Sequence, residues 1–263
     1  MISPQHRKIT GFLEVAAAIG LFQFTMWKVS PLLENVTASV SIPLLVIWAA
    51  GLAYAFYISP VLIHRDPASV RGVGSWKRAF VRTDNLPSAL WVFGGLALVQ
   101  IALLVAGIAL FSSARFHLVS WEILPLRLFL YLGSAAVQSL FWLSFVLVRL
   151  RALAMPDGLA SVQLPTPPAQ GVVCLCGALL FAVCHLPNPI LMLWGFSACL
   201  FMSYFYLRVP NYVAAALCHA LVGTSLSVIA GIRMRIGPFY SELDFYPIRN
   251  IILLLEKIIG GRW

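Results

Sequence analysis

The sequence predicts an all-α protein, a polytopic transmembrane helical bundle of seven or eight spans. Three observations lead there. Of 263 residues, 61% are hydrophobic and only 10% are charged, whereas an ordinary soluble domain carries roughly 25% charged residues. Eighteen Lys and Arg with nine Asp and Glu cannot cover a soluble globule of this size. The mean hydropathy of +0.91 also excludes a disordered chain, which needs low hydrophobicity and high charge. The second observation is that the apolar residues gather in runs of bilayer-spanning length. The third is that the charges fall in the connectors between those runs.

A hydrocarbon core of about 30 Å takes roughly 20 residues of helix. Such runs lie at about 10–27, 39–62, 88–111, 126–148, 171–186, 189–207 and 210–231. The first follows His6, Arg7 and Lys8 and closes on Trp27 and Lys28, an aromatic–basic pair suited to the membrane interface. No small-residue cleavage site follows it, so it reads as a span rather than a cleaved leader. The connector 63–87 carries Arg65, Arg71, Lys77, Arg78 and Arg82. The segment 151–170 contains Pro156, Asp157, Gly158, Pro165, Pro167 and Pro168, and reads as a loop. A last apolar segment, about 247–259, carries Arg249, Glu256 and Lys257 and reads as an interfacial helix or an eighth, incomplete span. One membrane domain is expected, with N-terminal spans over 1–112, a core over 124–235 and a tail over 236–263.

The net charge of +9 follows the spans. Arg7, Lys8, the five basic residues of 63–87, Arg149, Arg151 and Arg208 fall on one side, against Lys28, Arg115 and Arg127 on the other. The positive-inside rule then places the N-terminus in the cytoplasm. With seven spans Arg233, Arg235, Arg249, Lys257 and Arg262 would break that rule, and an eighth segment would restore it. The expected partner of this charge is the bilayer and its anionic headgroups. Nucleic acid is not expected, because its binding needs a basic face or stripe. Cys174, Cys176, Cys184, Cys199 and Cys218 all lie inside apolar runs. They read as small buried hydrophobes rather than a disulfide framework.

Polar side chains at membrane depth are expensive, so each is a candidate functional group. They concentrate in the second half of the chain. Span four carries Gln138, Ser139 and Ser144; span five ends with Phe181, Cys184 and His185; span seven carries Cys218, His219, Thr224, Ser225 and Ser227. Phe181 and His185 are four residues apart and share a helix face, as do His219 and Gly223. Gly223 would let a neighbouring element approach closely. The first half offers little beyond Glu14, read as a headgroup-level or bundle-facing carboxylate, and Gln100.

Three segments in order carry a family resemblance. Residues 181–185, FAVCH, resemble the FxxxH motif of the CPBP intramembrane proteases, which include the CAAX-type prenyl endopeptidases. Residues 219–224, HALVGT, resemble the HALYGN that a bacterial branch writes at its second histidine motif. Residues 138–150, QSLFWLSFVLVRL, line up with that branch's QELxYRxxxxxRY. The stretch 191–208 resembles the span between the histidine motifs. The resemblance implies a CPBP-protease-like bundle in a bacterial inner membrane. It also implies an active site in which a glutamate activates water and two histidines and an asparagine polarise the scissile carbonyl. By that correspondence the family's catalytic positions are Ser139, His185, His219 and Thr224, with Gln138, Trp142, Phe181 and Gly223 as binding positions. The sequence departs from the pattern at the chemistry itself. Serine replaces the glutamate at 139, leucine the arginine at 143 and threonine the asparagine at 224. A general base contributes ~10²–10⁴ in rate, and a serine hydroxyl cannot take that role near neutral pH.

The leading expectation is therefore a pseudoprotease, an accessory or binding subunit whose cavity holds a peptide tail, a lipid or a partner helix. No cofactor is expected. An endopeptidase by a changed route is the second reading, with Ser139 as nucleophile and His185 or His219 as base, or with Glu14 or Glu122 reaching the site. A haem or zinc site on His185 and His219 is the third. The fourth is a structural or transport subunit in which Arg127 and Arg149 only snorkel to the interfaces.

Overall fold

The computed structural model describes residues 4–29, 46, 49–63, 82–111, 124–154, 166–230 and 236–239. Glu122, the 247–259 segment, and the greater part of both long connectors lie outside the described residues. All regular structure among them is helical. Helix α1 (Pro4–Phe24) continues into a wider π-helical turn, Thr25–Val29. The π-wound α2 (Tyr54–Ile63) and the long α3 (Leu86–Phe111) follow. Helix α4 (Leu124–Leu140), a π stretch (Phe141–Val146) and α5 (Leu147–Ala154) then run on as one rod. Helices α6 (Pro167–Val183), α7 (Pro189–Arg208) and α8 (Tyr212–Val228) complete the bundle.

Among the described residues four rods are long and apolar enough to cross a membrane: Lys8–Val29, Leu86–Leu110, Pro125–Ala154 and Pro189–Arg208. The apolar helices Ala49–Ser59, Pro167–Val183 and Tyr212–Val228 are shorter. At 1.5 Å per residue, a 17-residue helix such as α6 or α8 falls a few ångströms short of a hydrocarbon core of about 30 Å. The polarity is arranged for lipid. Trp91, Leu110, Phe129 and Leu98 lie largely exposed, whereas Glu14, Gln100, Ser139 and Arg149 are buried.

The helix boundaries follow local chemistry. Pro167 and Pro168 open α6 behind Thr166, and Pro189 opens α7. Proline suits the first helical turn, whose N–H groups have no intrahelical acceptor. The proline run read as loop thus belongs partly to a helix start, and Leu150–Ala154 extends the preceding rod beyond its expected end. Asn188 and Asn211 cap α7 and α8, their side-chain oxygens accepting from the Leu191 and Ala214 amides at 3.1 Å each.

Helix α8 packs against α4 and α3, α7 lies along α6, and α1 and α6 flank α5. One continuous core results, with Phe93, Leu143, Phe145, Val146 and Ala215 near its centre. Small residues permit the close approaches. A Cβ on Gly195 would stand 3.2 Å from the Phe181 ring, so α7 can lie against α6 only with glycine or a shifted ring there.

Arg149 corrects the sequence reading. It is 1% exposed, and its Nε donates to Glu14 Oε2 at 3.1 Å. Its Nη2 donates to Ser59 Oγ at 2.7 Å. The rod continues past Arg149 and turns that residue towards α1, so it neither snorkels nor counts as a connector charge. Glu14 is the bundle-facing carboxylate, and it also accepts from the Tyr54 hydroxyl and from Ser59 Oγ, at 2.9 Å each.

Candidate active site

The polar residues of α4, α6 and α8 meet inside the bundle. A narrow cavity is lined by Gln138, Ser139, Trp142, Phe181, His185 and His219, together with Tyr131, Gly195 and other groups from α7. Its free space is about 50 Å³, room for a few waters and too little for a prenyl chain.

Ser139 closes one wall. It is buried, and its Oγ lies 3.0 Å from His219 Nδ1. Which of the two donates depends on the imidazole tautomer. His185 sits in the turn that follows α6 rather than within a helix. Its Nδ1–H donates to the Phe181 carbonyl at 2.7 Å, because a carbonyl can only accept. That bond fixes the ring and leaves Nε2 as the acceptor of a neutral imidazole. The Phe181 ring stands between the two histidines, 4.7 Å from the His185 ring and 6.0 Å from that of His219, centroid to centroid. It packs edge-on against Trp142 at 5.0 Å.

The rod widens into its π stretch directly after this serine, at Phe141–Val146. A π turn adds a residue to the helix period and redirects the side chains that follow; such turns are frequent at functional sites. Leu143, at the family's arginine position, lines the same cavity.

The described residues contain two carboxylates, Glu14 and Asp84. Neither lines the cavity. Glu14 is held by Arg149, and Asp84 pairs with Arg82 at 2.7 Å ahead of α3. The route through Glu14 is thereby closed, and Glu122 is not among the described residues. No three His, Cys, Asp or Glu side chains gather as metal ligands among the described residues, whereas a structural zinc takes four.

Thr224 departs from the expected convergence. It lies one step round α8 from Gly223 and lines a neighbouring recess with Arg127, Leu130, Tyr131, Ser134 and Ser227. The wall between the two spaces is Tyr131, which lines both, as does Gly223. A Cβ on Gly223 would collide with the Tyr131 ring and hydroxyl. Gly223→Ala is expected to cost about 1–3 kcal/mol by overpacking. Adding Tyr131→Ala should restore part of it in thermal unfolding in detergent, and no restoration would refute the contact.

Tyr131 and Gly195 escaped the sequence reading. For Gly195 a signal existed: Gly195, Cys199 and Ser203 recur every fourth residue, a small-residue stripe of the kind that marks close helix packing. Tyr131 gave none, since one tyrosine among the apolar residues of α4 has no distinguishing spacing.

An outward apolar face, polar side chains buried inside the bundle and rods long enough to span together define the class as a polytopic helical integral membrane protein. Residues 120–225 match the family model Rce1-like, described as type II CAAX prenyl endopeptidase Rce1-like. Over those residues, less than half of its length, the chain is similar to the Rce1-like family, as its three motifs led one to expect. No curated protein and no solved structure matches the chain. The matched stretch holds Ser139, His185, His219 and Thr224 and excludes Glu14.

Proposed function

We propose that this protein is a non-cleaving integral membrane protein on an Rce1-like scaffold, acting as a binding or accessory subunit. One observation carries the reading: no described carboxylate lines the cavity, and Ser139 stands at the general-base position with its hydroxyl bonded to His219. Water in such a cavity meets no described carboxylate to activate it in the way the family's glutamate would, only two imidazoles. Its small volume suits a closed, packed site that must open before it admits an extended peptide or a lipid. The lipid bilayer is the first partner, and a membrane protein or peptide tail is the second. The basic connectors support a cytoplasmic N-terminus, and the resemblance of 219–224 to a bacterial branch supports a bacterial inner membrane. The experiment is a farnesylated CAAX peptide incubated with the protein in liposomes. Wild type and the His185→Ala/His219→Ala variant should both release tripeptide at the empty-liposome rate. Release above that rate, lost in the variant, would overturn the proposal.

The 3.0 Å contact between Ser139 and His219 favours a second reading, a serine endopeptidase. That distance is within reach for activating a hydroxyl. The arrangement lacks the rest of the apparatus among the described residues. No carboxylate orients His219, and Ser139 sits within α4, where backbone N–H groups are engaged by the helix and unavailable to an oxyanion. Treatment with a fluorophosphonate separates the readings. Labelling at Ser139 that disappears in His219→Ala would establish the serine route.

A further inference from the structure

The recess beyond Tyr131 has no part in the chemistry above. We propose that it binds the phosphate of an anionic phospholipid headgroup, with Arg127 supplying the charge and the Ser134, Thr224 and Ser227 hydroxyls donating to its oxygens. The recess is about 370 Å³ and open-sided, and no described carboxylate lines it. Arg127 lies in the first turn of α4 and makes no ion pair with a described residue. Its planar guanidinium matches phosphate geometry.

The hydroxyls point to the same ligand. Thr224 is 5% exposed, and its Oγ1 has no hydrogen-bond partner among the described residues. A buried orphan of this kind is costly unless a ligand satisfies it. Ser134 Oγ accepts from Gln138 Nε2 at 2.9 Å, which leaves its own proton free to donate. Ser134 lies two turns from Arg127, about 10 Å along the helix. The recess is mostly apolar surface, with one cation and three serine or threonine hydroxyls among its lining residues.

A lipid rather than a free anion is favoured by what surrounds it. Leu126, Phe129 and Leu130 on the same helix are 58%, 72% and 65% exposed. They offer acyl chains a wall beside the headgroup, which inorganic phosphate would not use. Charge-assisted contacts from Arg to phosphate are among the stronger hydrogen bonds.

The test is native mass spectrometry of the full-length protein, released from detergent micelles doped with phosphatidylglycerol or with the uncharged, phosphate-free lipid monogalactosyl diacylglycerol. Wild type should retain phosphatidylglycerol and not the galactolipid. Arg127→Gln should weaken retention about tenfold, equivalent to ~1.4 kcal/mol. The isosteric Thr224→Val should weaken it severalfold, and it serves alone should the arginine variant fail to fold. Millimolar inorganic phosphate should not displace the lipid. Equal retention by the variants, or of the galactolipid, would overturn the site. Displacement by inorganic phosphate would reassign it to a free anion and overturn the lipid proposal.

Discussion

Replacing Arg149 by alanine is expected to lower the stability of the bundle by about 3–5 kcal/mol, the usual cost of leaving one partner of a buried ion pair uncompensated. The mechanism is specific. The arginine leaves behind a Glu14 carboxylate that is 7% exposed, still accepting from Tyr54 and Ser59 but deprived of the guanidinium beside it. In lipid no bulk water can replace the lost partner. Packing is lost as well, since the guanidinium lies 5.5 Å from the Phe145 ring centroid and the side-chain stem lies against Gly11. Glu14→Gln should cost a similar amount, because the amide still accepts a hydrogen bond but leaves the buried guanidinium facing no carboxylate. Glu14→Gln/Arg149→Met should recover much of the loss, because a paired charge is costly to break but dispensable as a pair. Unfolding in detergent measures all three. An Arg149→Ala variant as stable as wild type would show that the pair does not tie α1 to the Rce1-like stretch.

The second large effect is at Asn211, which is fully buried. Its side-chain oxygen caps α8 through the Ala214 amide. Its amide nitrogen donates to the Arg82 carbonyl at 2.8 Å and to Asn85 Oδ1 at 3.0 Å. One side chain therefore joins the start of the His219 helix to the entry of α3. Asn85 in turn donates to the Pro210 carbonyl at 3.2 Å. Loss of a cap alone costs about 0.5–2 kcal/mol, and each buried group left without its partner adds about 1–3 kcal/mol. Asn211→Ala is expected to destabilise by roughly 3 kcal/mol, at the upper end of the common range. Asn211→Asp should lose less, because it keeps the cap acceptor and gives up the two donated bonds. A change below the measurement error in Asn211→Ala would contradict the network.

Much of the architecture was legible in the sequence because lipid imposes a simple rule. Backbone groups in hydrocarbon must be bonded within the segment, so each long apolar run declares a helix. The Rce1-like motifs were legible for a related reason: Ser139 and His219 within helices, and His185 in the turn after one, are polar groups that apolar runs carry only at a cost. The buried pair of Glu14 and Arg149 was not legible. Arg149 sits where a shorter helix would have ended, and only the extension of the rod through Ala154 turns it inward. Its partner stands 135 residues away, a separation no local pattern encodes. Thr224 marks a similar limit. Its neighbour His219 fixes the motif, but the rotation of α8, set by packing against Tyr131, decides which of two adjoining spaces it faces.

The central proposal is that the cavity keeps two histidines, His185 and His219, and has lost the carboxylate that the family resemblance would place at Ser139. The measurement that tests it most directly is the rate of cleavage of a farnesylated CAAX peptide by the wild-type protein in liposomes, read as released tripeptide by mass spectrometry. Removing a general base costs ~10²–10⁴ in rate, so the incubation must be long enough to register that remnant. The account predicts release indistinguishable from liposomes without protein. Tripeptide release that scales with the amount of protein and falls to background in His219→Ala would contradict it.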